Sequence, residues 1–350
     1  MTQTICIITR VGDKLPLAVV GVGRMGAYHA RTLASSQLVD VVAVADTDAE
    51  VAKILAAEVG AEPFTSLEGL TASTDVAAWL IATPTLTHPP IVRMALDAGL
   101  HVLCEKPLAL NAEASGALGD QAIASGRILQ VGFWRRFSPP WAKAKRLIDS
   151  GAIGRPLLVR LSQWDANPPP ATFCDPSTSG GLAIDCGVHE FDLAEWLTGL
   201  RVESVSARNL PLVDPALADV GDVDNLVAML DLSGGAVATV DLSRNCRYGD
   251  DVRTEILGAD GAIFIDLLPT GLTRLATAGG TEVVAGSAVD DAFHAGILAQ
   301  ADTFARTSMG EMLDFPDAAA STRAVAIGRA VQAAAVNGQS ISLESDHAES

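Results

Sequence analysis

The chain is poor in cysteine, in cations and in long apolar runs. Its five cysteines, Cys6, Cys104, Cys174, Cys186 and Cys246, form no C-x-x-C pair. An odd, scattered set argues against a secreted disulfide framework and against a structural zinc site. Lys and Arg total 24 against 42 Asp and Glu, a net charge of −18. A surface that acidic repels phosphate backbones, which excludes general nucleic-acid or anionic-membrane binding. It leaves room for a local pocket that takes one small anionic ligand. No apolar run reaches the ~18 residues that a membrane helix needs. The opening stretch MTQTICIITRVGDK has no basic lead and no small-residue cleavage site, so it reads as an extension rather than a signal peptide. These absences predict a soluble, cytoplasmic protein.

What is present is apolar and organised. The 350 residues exceed one typical domain of about 100–200 residues, so two are expected. Hydrophobic residues make up 49% of the chain and mean hydropathy is +0.30, enough for a sizeable core. From 16 to 134, short β-branched runs alternate with alanine-rich stretches of helical spacing at 48–59, 88–99 and 111–126. The runs are PLAVVGVG, 39–46, 75–84, 100–107 and 127–134. Near-continuous apolar strands between helices predict a doubly wound parallel sheet. After Trp134 the pattern changes. Helices are expected at 138–150 and 185–198, then five short strands between 201 and 285, then helices near 290–309 and 315–337. Val237, Thr239 and Asp241 alternate with Ala238, Val240 and Leu242. Ser233-Gly234-Gly235 and Ala259-Asp260-Gly261 read as hairpin turns. The fold class is thus α/β: an N-terminal Rossmann sheet plus an α+β domain with an open-faced, largely antiparallel sheet. The expected divisions are an extension at 1–15, a dinucleotide domain at 16–134, a substrate and oligomerisation domain at 135–340 and an acidic tail at 341–350.

Gly21-Val22-Gly23-Arg24-Met25-Gly26 follows a strand and opens a helix. Gly21 permits the tight turn, Gly23 lets the backbone approach a pyrophosphate, and Gly26 allows close helix–strand packing. The helix start offers N–H groups to phosphates. Asp46 ends the second strand 20 residues after Gly26. An acid there accepts from the ribose hydroxyls and repels a 2′-phosphate, which favours NAD over NADP. A glycine turn that only packs is the alternative.

Two more segments lie at predicted carboxyl ends of strands, where ligands of open α/β sheets bind. Thr83 and His88 could flank the cofactor, or Thr87 could simply cap the next helix with Pro89 in its first turn. Glu105 and Lys106 precede Pro107. The lysine there can stabilise a developing alkoxide, or be a surface lysine in a turn. Asp185 and His189 are four apart and would share one helix face. A carboxylate beside an imidazole suits acid–base work; a capping Asp and a buried histidine is the other reading. Two such groups without a third ligand are a poor metal signal, and no metal is expected. Cys186 has no basic partner that marks it as a nucleophile, so packing is expected. Trp134, Arg135, Asn167 and Tyr248 complete the substrate candidates. The first two fall where one domain hands over to the next, and arginine offers a forked donor.

The ordered segments GVGRMGAYHA, VADTD, IATPTLTH, AGLHVLCEKPLAL, VGFWRRFSP and GGLAIDCGVHEFDLAEWLTG resemble the glucose–fructose oxidoreductase and inositol dehydrogenase family (Gfo/Idh/MocA). GFWRRF and VHEFD look most like the inositol 2-dehydrogenase branch. The resemblance runs over roughly 16–337, and the first fifteen residues have no counterpart. It implies a catalytic set of Lys106, Asp185 and His189. It places Thr83, His88 and Glu105 around the cofactor, and implies substrate contacts from Arg135, Asn167 and Tyr248. A cis Lys106–Pro107 bond and a homotetramer or dimer are also implied. The expected activity is NAD-dependent oxidation of a cyclitol or sugar ring hydroxyl to a ketone. The alternatives are another sugar dehydrogenase or ketosugar reductase of the family, or a non-catalytic NAD-binding sensor.

Overall fold

A computed structural model describes residues 14–73, 75–166, 169–211, 213–267, 272–286 and 289–343. The expected extension at 1–15 falls almost wholly outside these residues, as do Asn167 and most of the expected tail. The chain forms two compact units. One runs to Ala109 and takes in Glu113–Gly132 and Ile297–Ala319. The other comprises Leu110–Ala112, Phe133–Gly296 and the chain from Ala320 onward. No helix among the described residues is long and apolar enough to cross a membrane.

The first unit is built on six parallel strands. These are β1 (Leu15–Val20), β2 (Val39–Ala45), β3 (Glu62–Phe64), β4 (Ala78–Ile81), β5 (His101–Cys104) and β6 (Leu129–Val131). Their order is β3-β2-β1-β4-β5-β6. The chain reverses its direction of travel across the sheet between β1 and β4, the switch point where such sheets bind dinucleotides. β1 and β4 are apolar and nearly all buried, as strands covered on both faces must be. β3 is a sixth strand that the apolar runs did not reveal. It is short, largely exposed and carries Pro63, all traits of an edge strand.

The helix Val289–Ser308 closes this unit from Ile297 on. Ala301, Phe304 and Ala305 pack with Leu15, Leu33 and Leu103, and the Gln300 carbonyl accepts from Gln130 Nε2 at 3.0 Å. A single handover near Trp134 therefore does not describe the chain: it returns to the first unit because those apolar residues complete the first core.

The second unit holds a nine-stranded mixed sheet. Its strands are β7 (Pro156–Trp164), β8 (Val202–Asn209), β9 (Asn225–Leu232), β10 (Ala236–Ser243), β11 (Asp251–Gly258), β12 (Gly261–Leu267), β13 (Leu272–Thr277), β14 (Gly280–Gly286) and β15 (Ile341–Ser342). The order is β14-β13-β12-β11-β7-β10-β9-β8-β15, antiparallel except for the β7–β10 pair. The expected alternation along β10 holds: Ala238, Val240 and Leu242 are buried, while Val237, Thr239 and Asp241 lean outward. The outward face is half-open, with Val227, Met229 and Leu257 exposed. β9 and β10 join at Ser233-Gly234-Gly235, where Gly234 (φ 74°) and Gly235 (φ 80°) take the left-handed turn. β7, β13, β14 and β15 exceed the five expected strands. On the buried face, the helix Pro139–Asp149 anchors through fully buried Trp141, whose Nε1 donates to Thr254 Oγ1 at 3.0 Å.

Candidate active site

In the first unit, three glycines shape a phosphate cradle at the end of β1. Gly21 has φ 82°, and a Cβ there would stand 2.6 Å from Thr83 Cγ2. A Cβ on Gly26 would stand 1.8 Å from the Gly21 carbonyl oxygen. A Cβ on Gly23 would meet nothing within 4 Å. Gly26 is thus required by the protein's own packing, whereas Gly23 borders open space at the start of the helix Arg24–Leu33. No side chain caps that helix, so its first N–H groups remain for an anion. Arg24 is exposed and Met25 partly so. Asp46 Oδ2 accepts the Val22 N–H at 2.9 Å, and Oδ1 accepts the Asp48 N–H at 3.0 Å. Two backbone donors thus orient the carboxylate beside the loop. These groups fit a dinucleotide: bare Cα atoms and an uncapped helix start for the pyrophosphate, and an oriented acid for the ribose.

The ends of β4 and β5 are locked to one another by His88. The ring is 1% exposed, with Nε2 2.8 Å from the Thr83 carbonyl and Nδ1 2.8 Å from the Pro107 carbonyl. Burial pushes its pKa down, against the pull of the two carbonyls. Both ring nitrogens are thus engaged by backbone, and the ring ties the two strand ends together. Thr87 also differs from expectation. Its hydroxyl donates to the Pro84 carbonyl at 2.7 Å and lies 2.8 Å from Thr83 Oγ1 instead of capping the helix. Thr83 remains partly exposed.

Glu105 turns inward as well. Its Oε1 lies 2.7 Å from His29 Nε2, and Oε2 accepts the Lys106 N–H at 3.1 Å. Burial raises the carboxyl pKa, but the His29 hydrogen bond and the charges of His29 and Lys106 hold it below the ordinary carboxylate range. Glu105 is 8% exposed and braces the Lys106 amide. The Lys106–Pro107 peptide is cis. Lys106 itself is partly exposed.

In the second unit, Asp185 and His189 do not lie on one continuous helix. Asp185 ends the helix Gly181–Asp185, and His189 is in the first turn of Val188–Thr198. Between them the Gly187 N–H reaches back to the Leu182 carbonyl, five residues away, and the His189 N–H to Cys186, three away. A Cβ on Gly187 would lie 2.4 Å from the Ala183 carbonyl oxygen, so glycine allows this close winding. The expected helix over 185–198 is therefore two helices. Asp185 retains some exposure and accepts from Arg244 Nη1 at 3.2 Å. His189 is 6% exposed and meets the rings of Phe133 and Trp134 edge-on, with centroids at 6.0 and 6.3 Å. The Cys186 thiol donates to Asp165 Oδ2 at 3.3 Å.

Arg135 is bound up with protein partners. It is 3% exposed, and its guanidinium donates to Glu190 and, at 2.8 Å, to Gln163 Oε1. It also stacks near the rings of Trp134 and Trp141. Its fork is consumed by a buried ion pair. Arg136 similarly grips Asp192 at 2.9 and 2.5 Å. Burial raises the carboxyl pKa of both Glu190 and Asp192, and the arginines offset only part of that. Trp134 stays partly exposed. Tyr248 is 65% exposed and donates to Asp251 Oδ2 at 2.7 Å. His29, Gln163, Asp165 and Arg244 escaped the sequence reading. His29 stood inside the quoted GRMGAYHA segment, but the other three carry no spacing signal.

Comparison with known proteins places the chain in a family. Residues 15–133 match a family model described as an oxidoreductase family with an NAD-binding Rossmann fold. Residues 141–264 match the GFO/IDH/MocA C-terminal domain. The chain is 39% identical to scyllo-inositol 2-dehydrogenase (NAD(+)) of Bacillus subtilis over 257 residues, 72% of this chain and 73% of that one. Among solved structures, a myo-inositol dehydrogenase from Corynebacterium glutamicum superposes with a TM-score of 0.84 at 27% identity, covering 95% of this chain and all of that one. A scyllo-inositol dehydrogenase from Lactobacillus casei, solved with NAD(H) and scyllo-inositol, gives a TM-score of 0.83 at 26% identity over 94% and 99% of the two chains. The chain belongs to the GFO/IDH/MocA family of NAD-dependent oxidoreductases.

Proposed function

We propose that this chain oxidises a secondary ring hydroxyl of an inositol-type cyclitol to the ketone. The observation that carries the reading is the Asp185–Gly187–His189 turn, which sets a partly exposed carboxylate and an imidazole edged by aromatic rings four residues apart. The inositol substrates named for the relatives support the substrate class.

NAD, when bound, supplies the hydride acceptor. The cradle of Gly21, Gly23 and Gly26 binds its pyrophosphate, and Asp46 selects its ribose. Thr83, partly exposed after β4, contacts the cofactor as well. His189 accepts the hydroxyl proton as the carbon–hydrogen bond gives up its electron pair, and the carbon–oxygen double bond forms. Lys106 donates a hydrogen bond to the same oxygen and stabilises the developing alkoxide. Asp185 accepts from a neighbouring hydroxyl and fixes the ring's orientation. Trp134 and Tyr248 line the substrate. We include a homo-oligomer and a cytoplasmic location in the same proposal; a monomeric mass in light scattering would remove the former.

The test is NADH formation with myo-inositol, scyllo-inositol, glucose and galactose. Turnover with an inositol, lowered at least about a hundredfold in Lys106→Ala while NAD still binds, is the expected result. NAD binding without turnover of any polyol in either direction would favour a non-catalytic sensor.

A further inference from the structure

Arg244 follows β10 with its guanidinium 1% exposed, one of the largest fully buried side chains described. Two carboxylates share its fork. Nη1 donates to Asp185 Oδ2 at 3.2 Å, and Nη2 to Asp222 Oδ2 at 3.5 Å. Asp222 Oδ1 in turn accepts the Leu182 N–H at 2.9 Å, in the first turn of the helix that Asp185 ends. Gly181 (φ 69°) leaves room for this contact, since a Cβ there would lie 2.8 Å from Asp222 Oδ1. The Arg244 amide is tied to the Asp224 carbonyl at 2.9 Å. One buried cation therefore grips both ends of a single helical turn. A cation so desolvated persists only against carboxylates that stay ionised.

We propose that Arg244 is a positioning residue for the reaction, holding Asp185 in one orientation and as an anion, so that Asp185 accepts a hydrogen bond from substrate and does not take the reaction's proton. The proposal rests on the reading of Asp185 given above. The proton is left to His189, as in that reading. The groups facing Arg244 are Asp185 and Cys186 at the helix end, Asp222 before β9, and Cys174 of the short helix Ala171–Cys174. Asp165, after β7, faces the Cys186 thiol. Burial works against the Arg244 charge, and these neighbours outweigh it, so its pKa lies above that of an ordinary arginine. Removing Arg244 takes a paired cation from beside Asp185, and Asp185 then gains a proton more readily.

The experiment is a double-mutant cycle with Arg244→Gln and Asp185→Asn, read as kcat and KM for the inositol that turns over fastest. Arg244→Gln should lower kcat/KM by at least about tenfold and move the acid limb of its pH profile upward, with NAD affinity unchanged. In the Asp185→Asn background, Arg244→Gln should change kcat/KM less than about twofold, because its target is gone. Arg244→Lys, which keeps the charge and loses the fork, should restore the position of the acid limb but only part of kcat/KM. If Arg244→Gln fails to fold, Arg244→Lys carries the same cycle, and its smaller loss should vanish with Asp185→Asn. A loss of equal size in both backgrounds, or wild-type kinetics in Arg244→Gln, overturns the proposal alone. A fully active Asp185→Asn enzyme removes instead the reading on which it rests.

Discussion

The imidazole of His29 and the carboxylate of Glu105 meet at 2.7 Å with neither open to solvent. His29 Nδ1 has no hydrogen-bond partner among the described residues, so the ring is held through Nε2 alone. Glu105 then braces the Lys106 amide. Replacing His29 with Leu strands a buried carboxylate, and thermal or urea melts should show a loss of about 2–3 kcal/mol. His29→Gln retains a donor and should lose less than half of that; equal losses would mean that ring volume, not the hydrogen bond, matters. Residues of this kind were only half legible. The E-K-P segment marked Glu105 by position, but whether a side chain faces a ligand or a neighbour depends on what the fold puts behind it. Behind Glu105 stands His29, 76 residues away in the chain, and behind Arg135 stand Glu190 and Gln163. The place of Asp46 beside the glycine turn was legible, because the strand end and the turn are joined through the Val22 N–H. Asp46→Ala should narrow the preference for NAD over NADP by at least about tenfold, a shift of about 1.4 kcal/mol, in paired kcat/KM measurements. An unchanged ratio would undo the ribose assignment.

Elements divide along the same line. Strands buried on both faces, such as β1 and β4, are continuous apolar runs and can be read directly. β7 cannot: Arg160 is exposed within it and Leu157 and Leu158 are both half-exposed, so it shows neither a run nor a clean alternation. It still sits in mid-sheet, between β10 and β11. The helix break at Gly187 was hidden because Asp185 to Thr198 has helical spacing throughout. The glycine loop separates two element-scale roles that are usually confounded. Gly23 has φ −65° and open space where a Cβ would go, so Gly23→Ala should fold with an unchanged melting temperature. Its methyl group occupies the phosphate approach, and NAD affinity by calorimetry should fall at least about tenfold, or about 1.4 kcal/mol. Gly26→Ala meets backbone at 1.8 Å and should lose both affinity and stability, by about 1–3 kcal/mol for an overpacked site. Full NAD affinity in Gly23→Ala would place the pyrophosphate elsewhere.

For the whole molecule, the charge of −18 sets how stability answers to pH. Acidification from neutrality toward the isoelectric point near 4.6 lowers net charge and relaxes self-repulsion. The buried acids Glu190 and Asp192 act the same way: their pKa values are raised in the fold, so the folded state takes up protons first and gains stability as pH falls. A loss of stability in mild acid must therefore come from particular groups, and His101 is one. It opens β5, and its Nδ1 accepts the Ile128 N–H at 3.1 Å, which a proton on that nitrogen would prevent. Burial, with Arg127 adding to it, lowers its pKa from 6.5 to about 4. Above 6.5 the ring is neutral in both states. Below it the unfolded chain protonates and the folded chain does not, so stability falls as pH drops from 6.5 through about 4. At pH 5 the loss from this one ring is about 2 kcal/mol. His88, also held low by burial, adds in the same direction. His101→Asn places an amide oxygen near the Nδ1 position and has no proton to gain. Urea unfolding at pH 7 and pH 5 should show the variant losing about 2 kcal/mol less than wild type between the two. Parallel losses in both proteins would move the acid sensitivity away from His101.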